Sequence, residues 1–131
     1  MKNTYGIEWI ILTTDHCEAS RKFYKDLLGL EIIRETPEEQ FTQFKLDNCY
    51  LAIYGRREME KLIGSKYIGR GGGAIYTFKE VKDIDTYYEQ LKNSGVPFIK
   101  KPMTQPWGQR TAYFLDPDQH IWEIQEWVNE K

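Results

Sequence analysis

Gly6 to Thr13 alternates imperfectly between polar and apolar positions and is rich in Ile and Trp, the pattern of a mostly buried strand. Asp15 follows, with Glu18 three residues on as in a capping box, and Ala19, Phe23, Leu27 and Leu30 recur at spacings of four, four and three. This predicts a helix that Gly29 stops. Three strand-like runs come next, Glu31 to Glu35, Phe41 to Leu46 and Tyr50 to Tyr54, the last two joined by a turn at Asp47-Asn48. The predicted order is βαβββ.

The second half repeats it. A strand from Ala74 to Phe78 precedes an N-cap at Asp83 and a helix with Ile84, Tyr87, Tyr88 and Leu91 on one face, which Gly95 ends. Strands follow at Phe98 to Lys101, Arg110 to Leu115 and Ile121 to Trp127, with Asp116-Pro117-Asp118-Gln119 turning the last pair. Gly29 matches Gly95 with a shift of 95 − 29 = 66, and Leu46-Asp47 matches Leu115-Asp116 with a shift of 115 − 46 = 69. Such self-similarity indicates a duplicated module. Module one covers about 5–55 and module two about 74–127. The linker, about 56–73, holds a short helix from Arg56 to Leu62 and a flexible joint at Gly69 and Gly71-Gly72-Gly73. The glycine run precedes a strand, whereas phosphate loops follow one and open a helix, so a linker is expected here.

Composition narrows the picture. A chain of 131 residues, 40% hydrophobic and 29% charged, fits a single domain. Its 18 basic and 20 acidic residues are interspersed, which argues against nucleic acid as a partner. The apolar run Trp9 to Leu12 is too short for a membrane span, so a cytoplasmic protein is expected. Cys17 and Cys49 lack CxxC spacing and read as reduced packing thiols. Aromatic residues reach 15%, including 4 Trp and 9 Tyr, whose rings with polar tips suit ligand walls and subunit interfaces.

Phe23-Tyr24, Leu28-Gly29-Leu30, the module repeat and Tyr113-Phe114-Leu115-Asp116-Pro117-Asp118-Gln119-His120-Ile121-Trp122-Glu123-Ile124 together resemble the vicinal oxygen chelate superfamily. That superfamily holds glyoxalase I, bleomycin and fosfomycin resistance proteins and extradiol dioxygenases. Pro106-Trp107-Gly108 and Leu51 to Arg56 are similar to an uncharacterised glyoxalase-like subgroup. Gln119 stands where the family has Gly. The resemblance implies an α+β fold, two tandem βαβββ modules forming a cupped mixed sheet, assembled as a homodimer.

It also implies where a metal would be held: one ligand on the first and fourth strand of each module. Glu123 occupies the last of these places. Laying Asn48 to Ala52 over Gln119 to Glu123, a shift of 71, puts Ala52 at its symmetric partner, and alanine binds no metal. Gly73, Ala74 and Tyr76 are the candidates on the second module's first strand, none a usual ligand for Zn²⁺, Ni²⁺ or Fe²⁺. On the first strand, counting back from Phe23-Tyr24 gives Trp9, and treating Asp15 as the family's capping Asp gives Glu8. Trp9 is preferred. His16 reads as a helix-start residue, and His120, three residues before Glu123 on a strand, points to the opposite face. A divalent Zn, Ni or Fe is therefore disfavoured, with Glu123 and Glu8 the ligands if one is bound, and no other cofactor is expected.

The expected function is a metal-independent protein that binds a planar or aromatic small molecule, with Trp9, Tyr50, Tyr54, Trp107, Arg110 and Glu123 as its ligand-binding residues. In this scheme Trp107 closes the mouth and Arg110 is an anion partner. One alternative is a glyoxalase-like lyase or isomerase in which Glu123 is the catalytic residue, with or without a divalent metal. Another is a dimeric interaction module whose cavity is filled by its own side chains.

Overall fold

Alternating apolar positions produce eight strands, and the computed structural model describes residues 3–129. The chain divides into two compact units, Met1–Gly69 and Arg70–Lys131.

In the first unit, β1 (Trp9–Thr14) leads to α1 (Cys17–Lys22), then β2 (Ile32–Thr36), β3 (Phe41–Lys45) and β4 (Tyr50–Gly55). The sheet order is β1-β4-β3-β2, with β1 and β4 parallel and the other pairs antiparallel. Helix α1 differs from the sequence expectation at its start. His16 is its N-cap, with no side-chain capping bond, and the Asp15 carboxylate instead takes a forked bond from Arg56, 2.7 and 3.1 Å. Two bonds between a guanidinium and a carboxylate, with both partners charged, outweigh a single bond from a backbone N–H. After Lys22 the helix widens into a π turn, Phe23–Leu27, closed by Leu28 N–H donating to the Phe23 carbonyl. The wider turn brings two consecutive aromatics inward: Phe23 is 5% exposed and Tyr24 fully buried against Phe44, ring centroids 5.5 Å apart. Leu51 and Ile53 from β4 complete this helix-covered core.

Helix α2 (Arg56–Ile63) follows β4 directly and matches the expected short helix. Arg56 also donates to the carbonyls of Ile68 and Gly69, so one side chain ties the start of α1 to the chain after α2.

The second unit repeats the plan with β5 (Ile75–Thr77), α3 (Ile84–Asn93), β6 (Phe98–Thr104), β7 (Gln109–Leu115) and β8 (Ile121–Trp127), in sheet order β5-β8-β7-β6. Asp83 caps α3, its side chain accepting from Thr86 N–H, and Glu126 accepts from the N–H groups of Asp83 and Ile84. Carboxylates at a helix start satisfy otherwise unpaired donors and oppose the dipole. Trp122, Ile124, Phe114, Ile84 and Leu91 form the buried helix side, Trp122 stacking on Phe78 at 4.6 Å.

At the β7–β8 turn, Asp116 Oδ1 accepts from the N–H groups of Asp118 and His120, and Gln119 adopts a left-handed φ of 70°. The glycine run that precedes β5 is here more than a joint. A Cβ on Gly71 would meet the Gln119 carbonyl at 2.2 Å, so glycine lets the chain pack against this turn. Among the described residues no helix is long and apolar enough to cross a membrane.

Candidate functional site

Strand pairing fixes which residues share a face, and in both units the face turned away from the helix carries the chemistry. In the first unit the register Trp9↔Tyr50↔Lys45 gives one row across the sheet and Ile11↔Ala52↔Gln43↔Arg34 the next. Tyr54 and Phe41 lie beyond them. Trp9 and Phe41 sit on β1 and β3, the two strands flanking β4, yet their ring centroids are 6.2 Å apart. Rings from strands about 9–10 Å apart meet above the strand between them. Ala52, fully buried, is the small residue on β4 that leaves them room. Tyr50 adds a tilted contact to Trp9 at 5.3 Å and Tyr54 an edge-on contact to Phe41 at 5.6 Å. The Tyr54 hydroxyl donates to Glu39, and loss of solvation together with this bond holds it above the ordinary tyrosine value. The sequence reading singled out Trp9, Tyr50 and Tyr54, which the fold gathers on one face. Phe41 and Arg34 were missed, because both stand on strands for which no ligand position was expected.

In the second unit Thr77 lies opposite Glu123 in the parallel β5–β8 pair and donates a 2.6 Å hydrogen bond to it. Tyr113 is the antiparallel partner of Glu123 on β7. Its hydroxyl faces Glu123 and Thr111, and burial first, the Glu123 bond second, hold it above its ordinary value. Gln105 Nε2 donates to Thr111 Oγ1 at 3.0 Å. Nearby, Trp107 Nε1 donates to Gln109, Gln109 to Gln125, and Gln125 to the Phe78 carbonyl. Trp107 is 55% exposed at this end of the sheet.

Arg110 takes a different place from the one expected. Its register partner is Glu126, on the helix side of the sheet, and its guanidinium forks over Asp85 of α3 at 3.0 and 2.8 Å. The pair holds Asp85 below and Arg110 above their ordinary values. Alternation along β7 separates Arg110 from Tyr113, and so from Glu123, by putting them on opposite faces.

The register also corrects the ligand places. Thr77, not Gly73, Ala74 or Tyr76, is opposite Glu123. Its repeat in the first unit, at 77 − 66 = 11, is Ile11, which pairs with Ala52 as Thr77 pairs with Glu123. Trp9 lies two residues earlier on the same face, and Glu8 is exposed, ahead of the strand. The first unit's pair therefore offers two hydrocarbon side chains, and the second unit's pair one carboxylate and one hydroxyl. A catalytic divalent ion needs about three protein donors, so these residues do not fit one. Among the described residues no three His, Cys, Asp or Glu side chains are grouped to hold a metal ion.

A groove of about 530 Å³ lies between the first turn of α1 and the β2–β3 hairpin, lined among others by His16, Cys17, Arg21, Glu35 and Phe41. Cys17 and Cys49 are not joined in a disulfide.

A family model described as the Glyoxalase/Bleomycin resistance protein/Dioxygenase superfamily matches residues 6–124. The chain belongs to the Glyoxalase/Bleomycin resistance protein/Dioxygenase superfamily. The uncharacterized protein YraH of Bacillus subtilis strain 168 is 31% identical over 119 residues, covering 88% of this chain and 93% of YraH. A glyoxalase/bleomycin resistance protein/dioxygenase from Nocardioides superposes with a TM-score of 0.82 at 25% identity, covering 100% of this chain and 89% of that one. A lactoylglutathione lyase from Agrobacterium tumefaciens superposes with a TM-score of 0.73 at 22% identity, covering 95% and 96%, a likeness of fold alone. Within the superfamily this chain keeps the α+β plan of two βαβββ modules, each with a four-stranded mixed sheet.

Proposed function

We propose that this superfamily member is a metal-independent binding protein for a planar or aromatic small molecule, taken on the aromatic face of the first unit. The observation that carries the reading is the cluster of Trp9, Phe41, Tyr50 and Tyr54 on one sheet face, each ring half-buried rather than sealed. Rings held by their neighbours present a rigid apolar surface at small entropic cost, the usual lining of a small-molecule site. A cytoplasmic setting completes the proposal. A second copy of the chain is the proposed partner, because Ile11 on β1 and Ile75 on β5 are exposed on edge strands. Light scattering of the purified protein reads the dimer directly.

The test of ligand binding is calorimetric titration with the neutral probe 2-naphthol. Saturable binding that Trp9→Ala weakens at least tenfold is expected. Absence of binding, or binding that Trp9→Ala leaves unchanged, overturns the reading. Metal analysis is the parallel test: stoichiometric Zn, Ni or Fe in the purified protein overturns metal independence.

A second reading is favoured by Glu123, which is 8% exposed and accepts from Thr77 while facing Tyr113. A carboxylate so placed can take a proton from the carbon beside a substrate carbonyl and return it to the neighbouring atom, with the Tyr113 hydroxyl donating to the oxygen that gains charge. This lyase or isomerase reading predicts solvent deuterium incorporation into a hemithioacetal of methylglyoxal, lost in Glu123→Gln. Unchanged exchange in that variant removes Glu123 from the chemistry.

A further inference from the structure

We infer that the ligand of the first unit's aromatic face is an aromatic carboxylate, its ring on the Trp9–Phe41–Tyr50 surface and its charge read by Arg34. The inference rests on the aromatic-face reading and adds the charge of the ligand.

Arg34 reaches this face through an irregularity. Ile32 pairs with Phe44 on the helix side, and strict alternation would put Arg34 there too. A bulge between Ile32 and Arg34 shifts the register so that Arg34 pairs with Gln43, in the row of Ala52. Bulges re-aim side chains in this way and concentrate beside functional sites. The second unit has the same irregularity 66 residues on: Phe98 pairs with Phe114, and Lys100 is turned opposite Tyr113. Each bulge thus turns a basic residue to the face away from the helix, and in the first unit an aromatic platform accompanies it.

The surroundings of Arg34 leave its charge to be met from outside. Its Cζ lies 5.5 Å from the Phe41 ring centroid, so the guanidinium is stacked and oriented. Arg21, Arg56 and Arg110 each hold a carboxylate, Glu35, Asp15 and Asp85. Arg34 makes no ion pair within the described residues. Lys45, in the row of Trp9 and Tyr50, also makes none. The acids near Tyr54 on this face are Glu39 and Glu58, and both are engaged: Glu39 accepts from the Tyr54 hydroxyl at 3.2 Å and Glu58 from Lys61 at 3.1 Å. With Glu58 paired to Lys61 and Glu39 to the Tyr54 hydroxyl, the charges of Arg34 and Lys45 are left to be met by an anion, and a planar guanidinium matches a carboxylate bidentately.

The experiment is a calorimetric comparison of 2-naphthoate, 2-naphthamide and 2-naphthylmethylammonium on the full chain. The same ring with negative, zero and positive charge is expected to bind in that order, naphthoate about tenfold tighter than the amide. Arg34→Gln should bring naphthoate down to the amide's affinity while leaving the amide unchanged, and Arg34→Met, which keeps the stacked bulk, should do the same. Equal binding of naphthoate and naphthamide, strongest binding of the ammonium, or naphthoate binding untouched by both variants overturns the inference and leaves the aromatic site standing. Failure of all three probes to bind overturns the aromatic site as well.

Discussion

The hydroxyl of Thr77 donates a 2.6 Å hydrogen bond to the carboxylate of Glu123, and the two residues, 46 apart in sequence, are direct partners in the parallel β5–β8 pair. Glu123 is 8% exposed, so a share of its solvation must come from such donors. The relationship explains how a carboxylate is kept inside the second unit where the corresponding pair in the first unit, Ile11 and Ala52, is hydrocarbon.

Thr77→Val should therefore lower stability by about 1–2 kcal/mol, the cost of taking one donor from a buried acceptor that keeps its bond with Tyr113. Thr77→Ser, which restores the hydroxyl, should recover most of it. Urea unfolding of the three proteins checks this, and a Thr77→Val variant as stable as the parent would show that the bond contributes nothing net.

Gly71→Ala should destabilise by about 1–3 kcal/mol or more, because its Cβ would press on backbone atoms of Gln119 and His120 that no rotamer change can clear. Gly69→Ala, where nothing lies within 4 Å, should stay within about 0.5 kcal/mol of the parent. Thermal unfolding distinguishes a close approach at Gly71 from a merely flexible joint, for which both variants would behave alike.

Asp85 has its carboxyl held below the ordinary value of 3.8, first by its bond to Arg110. A depressed folded-state value contributes stability that is present above 3.8 and is lost as the pH falls below it towards the folded value. The stability difference between the parent and Asp85→Asn should accordingly be small, since Asp85 is mostly exposed, constant between pH 5 and 8, and vanish on acidification below pH 4. Urea midpoints measured across that range check the sign, and a difference that grows on acidification contradicts it.

Arg56→Gln should loosen one segment rather than the whole unit. Arg56 links Asp15 to the carbonyls of Ile68 and Gly69, so hydrogen exchange should quicken at residues 64–69 and at the start of α1. Unchanged exchange there would mean that other contacts hold the segment.

Much of this protein was legible in the chain because it is written twice. The periods of the two helices, Gly29 and Gly95 at their ends and the hairpin turns gave the order of elements, and Ala52 was recognised as the counterpart of Glu123. The ligand place on the first strand was not legible. A shift of one residue in a strand changes face, and the two marks differ by one residue because Asp15, next to the end of β1, is not the N-cap of α1, a place that His16 takes. Arg110 was misplaced for a related reason: its alternation with Tyr113 is visible in sequence, but the presence of Asp85 on the facing helix is not.

By itself the sequence determined what is local and periodic: two βαβββ modules, their turns, the apolar sides of the helices and the place of Glu123 on the last strand. Tertiary structure decided what depends on register. Parallel pairing set Thr77 against Glu123 and Ile11 against Ala52, and a bulge turned Arg34 from the helix side to the aromatic face. Side-chain direction along a strand reverses with every residue, so one inserted position, invisible to composition and periodicity, reassigns a whole face.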